Sequence, residues 1–75
     1  MNSPHVINET QYGYEVQCDG FILNYDVRPE TNLQYKLEGH DQFVSSPIKS
    51  VLCMSRGWQE AARRMTNFIN GENVE

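Results

Sequence analysis

The dipeptide Asp19-Gly20 sits between two segments of strictly alternating polarity, and it constrains this chain more than any other feature. Aspartate followed by glycine supplies the positive φ angles that a two-residue hairpin turn demands. Before it, Tyr12, Tyr14, Val16 and Cys18 alternate with Gly13, Glu15 and Gln17. After it, Phe21, Leu23, Tyr25 and Val27 alternate with Ile22, Asn24 and Asp26. Period-two alternation of β-favouring residues is the mark of a half-buried strand. A two-residue loop pairs Cys18 with Phe21, and the register then sets Val16 against Leu23, Tyr14 against Tyr25 and Tyr12 against Val27. All eight fall on one face, as a single buried side requires.

A third strand follows. Arg28-Pro29-Glu30-Thr31-Asn32 reads as a loop, because proline cannot donate to a ladder and asparagine tolerates a left-handed turn. Leu33, Tyr35 and Leu37 then alternate with Gln34, Lys36 and Glu38. Pairing Val27 with Leu33, Tyr25 with Tyr35 and Leu23 with Leu37 keeps the apolar residues together. The expected β-meander spans 11–38, with Gln42-Phe43-Val44 as a short extension. Residues 1–10 lack any period and read as a flexible lead-in arm.

Ser45-Ser46-Pro47 signals a helix start, with proline where its missing N–H costs nothing. At 100° per residue, Val51, Met54, Trp58, Ala61, Ala62, Met65 and Ile69 form one apolar stripe, flanked by Phe68. Asn70-Gly71 is the stop. Gly57 weakens the stretch by about 1 kcal/mol relative to alanine, and a break there is the alternative. The stripe keeps its phase across it, so the spacing predicts one helix over 47–70, about 36 Å long. The expected fold is α+β, a single domain over 1–75. It is a three-stranded antiparallel β-meander packed on one long C-terminal α-helix (βββα).

Composition narrows the function classes. Seventy-five residues with 39% apolar content and eight aromatics suffice for one core and are too apolar for a disordered chain. Chains this small bury a modest share of their surface, so a homodimer stays open. The overhang of so long a helix and a free strand edge are the candidate routes. No apolar run approaches the ~20 residues of a membrane span. The N-terminus shows no secretory pattern, which favours a cytoplasmic protein with reduced thiols. Cys18 and Cys53 then read as small buried core residues.

Catalytic and metal signatures are weak. His5 and His40 are the only histidines. His40-Asp41 has the makings of a general base held by a carboxylate, yet it reads more simply as a solvated turn. Two cysteines and two scattered histidines do not supply the close ligand pairs of a zinc site. No phosphate-cradling glycine loop and no nucleophile elbow is present. The expectation is a non-enzymatic protein with no cofactor.

Charge is segregated. Residues 1–46 hold seven acids against two bases, a net of −5, whereas residues 47–75 hold four bases against three acids, a net of +1. On the expected sheet, Glu15, Asp26 and Glu38 share the outer face, with Asp19 and Asp41 at its rims. Such a face repels phosphate and suits another protein's basic surface. Small acidic phage and mobile-element inhibitors of CRISPR or restriction complexes use acidic sheets in this way, as nucleic-acid mimics. The parallel is one of size and charge, carried by no motif. The first expectation is therefore an acidic protein-binding module that regulates or inhibits a larger partner such as a nucleic-acid-processing complex. The second is nucleic-acid binding by Lys49, Arg56, Arg63 and Arg64, three of which recur every seven residues opposite the apolar stripe. Glu60 and Arg64 also make an i,i+4 pair.

Overall fold

A computed structural model describes residues 3–26, 28 and 33–74. Five strands, β1 (His5–Glu9), β2 (Gly13–Cys18), β3 (Phe21–Asp26), β4 (Gln34–Leu37) and β5 (Val44–Ser45), form one antiparallel sheet in chain order. Two helices follow, α1 (Lys49–Leu52) and α2 (Trp58–Ile69). The fold is α+β, as the sequence predicts, with two more strands and a divided helix.

The central hairpin has the expected register: Cys18 faces Phe21, Val16 faces Leu23 and Tyr14 faces Tyr25. Gly20 takes φ +87°, the left-handed value the turn requires. The expected pairing of Tyr12 with Val27 falls outside the described residues, and so does most of the loop at 28–32. β4 differs from expectation. Leu37 pairs with Phe21 and Tyr35 with Leu23, a slip of two residues from the predicted register. A two-residue slip returns every side chain to its own face, so alternation alone cannot distinguish the two registers.

The lead-in arm is a strand. β1 pairs with β2 through His5–Gln17, Val6–Val16, Asn8–Glu15 and Glu9–Tyr14, with a bulge between Val6 and Asn8. The bulge explains the missing period. Val6 and Glu9, three residues apart, lie opposite Val16 and Tyr14, which share a face. At the other edge, β5 pairs Ser45 with Gln34 and Val44 with Tyr35.

The single helix over 47–70 is also corrected. The start also differs: Ser46 Oγ accepts the Ile48 N–H at 3.2 Å within a turn, and the helix begins two residues later than expected, at Lys49 with Ile48 as its N-cap. α1 stops after one turn, and Gly57, with φ −175° and ψ −177°, is extended where a continuous helix would have to pass. Two side chains hold the break. Glu60 Oε2 accepts the Arg56 N–H at 3.0 Å. Arg64 Nη1 donates to the Val51 carbonyl at 3.0 Å and to Ser55 Oγ at 3.2 Å. The apolar stripe loses its phase here: Met54 is 73% exposed, while Leu52 is fully buried. With 12 residues, α2 is about 18 Å long and matches a six-residue strand, so the expected overhang is absent. It ends as predicted, with Gly71 at φ +75°. The Gly71 N–H reaches Phe68 O at 3.1 Å and the Glu72 N–H reaches Asn67 O at 2.7 Å, a Schellman closure.

The core lies between one sheet face and the helices. Val16, Cys18, Phe21, Leu23 and Tyr25 from the central hairpin meet Ala61, Ala62 and Met65 of α2, with Leu33 and Leu52 completing it. Ser46, itself buried, donates its hydroxyl to Met65 Sδ at 3.4 Å and so ties the end of β5 to α2. Among the described residues, no helix is long and apolar enough to cross a membrane.

Gly13 is the one glycine at which an added Cβ would meet backbone, overlapping the Tyr25 carbonyl oxygen. Neither atom can yield without breaking the ladder. Gly13→Ala should therefore lower the unfolding free energy by about 3 kcal/mol. A urea titration would show this as a lower midpoint with an unchanged m-value.

Candidate protein-binding face

The five predicted acidic residues do not form one surface. Asp26 is buried. Its Oδ1 accepts the Arg28 backbone N–H at 2.9 Å and Arg28 Nε at 3.2 Å, and Oδ2 meets Nη2 at 2.8 Å. The guanidinium also stacks 3.6 Å from the Tyr12 ring centroid. The Asp26 hydrogen bonds hold the Arg28 proton more tightly than usual. Asp26 is thus a structural anchor at the end of β3 and leaves the exposed face. Burial of this carboxylate is not legible in alternation, since it depends on Arg28 folding back over the strand end.

Glu15 lies on the outer sheet face, half-buried between Asn8 and Asn24 in a cross-strand row that continues to Gln34 and Ser45. That row is mostly amides, and the acidity of the face is correspondingly thin. The acids concentrate elsewhere. Asp19, Glu38 and Asp41 are all exposed. They belong to two turns at the same end of the sheet, joined by the Glu38 N–H to Gly20 carbonyl hydrogen bond of 2.9 Å. Among the described residues, none of the three has an ion-pair partner. His40 is exposed in the same turn.

A groove of about 220 Å³ opens beside these turns. Gln17, Ile22 and Lys36, one cross-strand row of the outer face, line it together with Leu37, Glu38 and His40 at the start of the second turn. Of these, the sequence singles out Glu38 for its charge and His40 as a candidate base. Gln17, Lys36 and Leu37 carry no signal of their own, because β4 and its turn create the groove.

The basic residues also separate. Lys49 lies in α1, Arg56 in the extended link and Arg63 in α2, all exposed, so their seven-residue spacing does not trace one helix face. Arg64 is taken up in the α1–α2 junction, with Glu60 3.9 Å away as the predicted i,i+4 pair. The Arg56 backbone N–H, followed by Arg64, holds Glu60 below the usual carboxylate range. Among the described residues, no three metal-ligating side chains converge. No family model, curated protein or solved structure matches this chain.

The two thiols differ. Cys18 is buried, its Sγ donating to Val16 O at 3.7 Å, and burial pushes it up to about 12. Cys53, expected in the core, is exposed, because the helix break turns it outward. Alkylation with iodoacetamide at pH 8 should modify one thiol per chain quickly and the other only on unfolding. The folded state keeps the Cys18 proton to higher pH than the unfolded chain does. Stability should then fall as pH climbs from about 9 toward 12. Tyr25, raised chiefly by burial, acts in the same direction. Cys18→Val should flatten that decline, read from urea midpoints across the range.

Proposed function

We propose that this chain is a non-enzymatic protein-binding module that regulates or inhibits a larger protein by occupying a basic surface on it. The observation that carries the reading is the group of exposed carboxylates of Asp19, Glu38 and Asp41 at one end of the sheet, without an ion pair among the described residues. Exposed like charges held on rigid turns steer association with an opposite surface and cost little to desolvate at a contact rim. Rigidity comes from the hairpin turn and from the His40 N–H to Leu37 O hydrogen bond of 3.0 Å, which closes the second turn. Glu15 extends the acidic character onto the outer face, and Asp26 takes no part in it. A protein surface built to hold nucleic acid fits this charge and size best, which is the mimicry expected of an inhibitor.

The test is affinity capture from the native host with the wild-type chain and with Asp19→Asn/Glu38→Gln/Asp41→Asn. The variant should keep its fold, since these side chains are exposed. A captured protein should dissociate at least about tenfold more readily from the variant, and its binding should weaken steeply with added salt. Equal capture by both chains would remove the reading.

A further inference from the structure

Asn70 is the one asparagine of this chain followed by glycine. Both residues are exposed, just past the end of α2. We propose that Asn70 is a self-modification site, an asparagine whose loss of ammonia is gated by the closure of the helix end. Gly71 has no side chain to hinder attack by its own nitrogen on the preceding amide. That nitrogen, its proton lost to solvent, bonds to Asn70 Cγ while the Cγ–Nδ2 bond breaks and ammonia leaves. Water then opens the cyclic imide. Opening at Cγ leaves an aspartyl side chain on an ordinary main chain. Opening at the other carbonyl leaves an isoaspartyl linkage, in which the main chain runs through Cβ.

The folded geometry opposes the first step in two ways. The Gly71 N–H is held by the Phe68 carbonyl at 3.1 Å, so its proton is retained. Ring closure also needs the Gly71 nitrogen and Asn70 Cβ eclipsed about the Cα–C bond. At ψ 0° that nitrogen eclipses the nitrogen of Asn70 instead, with Cβ about a third of a turn away. Neighbouring bonds keep this shape. The Asn70 N–H reaches Thr66 O at 3.0 Å, the Glu72 N–H reaches Asn67 O at 2.7 Å, and Asn67 Nδ2 donates to Asn73 O at 3.0 Å. Reaction therefore requires local opening of the helix end. The products resist reclosing. A new carboxylate sits at the negative pole of the α2 dipole, and the last turn carries no basic residue to offset it. An isoaspartyl linkage lengthens the main chain as well, and the Schellman closure no longer fits.

The experiment incubates the full chain in mildly alkaline buffer, folded and in denaturing guanidinium chloride. Peptide mass spectrometry follows conversion of each asparagine, with chromatography separating aspartyl from isoaspartyl products. In the unfolded chain Asn70 should convert ahead of every other asparagine. In the folded chain it should convert at least about fivefold more slowly. Asn67→Ala removes the bond to Asn73 and leaves the reacting atoms alone. It should raise the folded rate at least about twofold, its amide spectrum reporting that the fold is intact. Asn70→Asp, which carries one product, should exchange the Gly71 and Glu72 amide protons about two- to fivefold faster than wild type. Earlier conversion of another asparagine in the unfolded chain would overturn the site. Equal rates in folded and unfolded chains, or an unchanged rate in Asn67→Ala, would overturn the gating. Unchanged exchange in Asn70→Asp would overturn the resistance to reclosing.

Discussion

The approach of α2 to the central hairpin governs the rest of the molecule, and two alanines set it. Ala61 and Ala62 are fully buried against a sheet face carrying Val16 and Leu23. Side chains this small let the helix come close, and Met65 fills the space one turn on. Trp58, Phe68 and Ile69 then flank the contact, partly buried, as a wall around it. Larger residues at either alanine would lift the helix and expose that wall. The match between a 12-residue helix and six-residue strands follows from the same contact. The preceding segment does not extend this helix but folds back as α1, whose Leu52 joins the core.

The α1–α2 junction shows how charge is used internally in so small a domain. Arg64 Nη1 donates to the Val51 carbonyl and Ser55, and Glu60 closes the Arg56 N–H. At the far end of the hairpin, Arg28 and Asp26 make a comparable clamp. These residues count in the net charge of the chain but offer little to a partner. Among the described residues, six carboxylates have no ion pair; Asp19, Glu38 and Asp41 lie in the two turns at the other end of the sheet, and Glu9, Glu15 and Glu72 lie elsewhere.

The outer face gains its character from the same economy. Most of it is a row of amides with modest net charge, and amides neither attract nor repel strongly at range. The groove interrupts that uniformity, because the second turn rises beside Ile22 and Leu37. Its polar lining carries both signs, with Lys36 beside Ile22 and Glu38 in the turn.

Local pattern by itself determined the central hairpin, its register, the faces of its residues and the end of the helical region at Gly71. Each of these depends on residues adjacent in sequence or joined by a two-residue loop, where turn chemistry and period-two alternation leave one solution. Tertiary structure alone decided the remainder. β1 is a strand because β2 offers it an edge, and its bulge erases the alternation that would announce it. β4 slipped by two residues because parity is blind to such a shift. The helix broke although the sequence spacing keeps phase across Gly57, since hydrophobic period records which residues could share a face and not whether the backbone stays helical between them. For the candidate site, Asp19, Glu38 and Asp41 were legible as charges, and their meeting at one end of the sheet was not. That depends on which backbone atoms close the turns, a long-range outcome that no local pattern encodes.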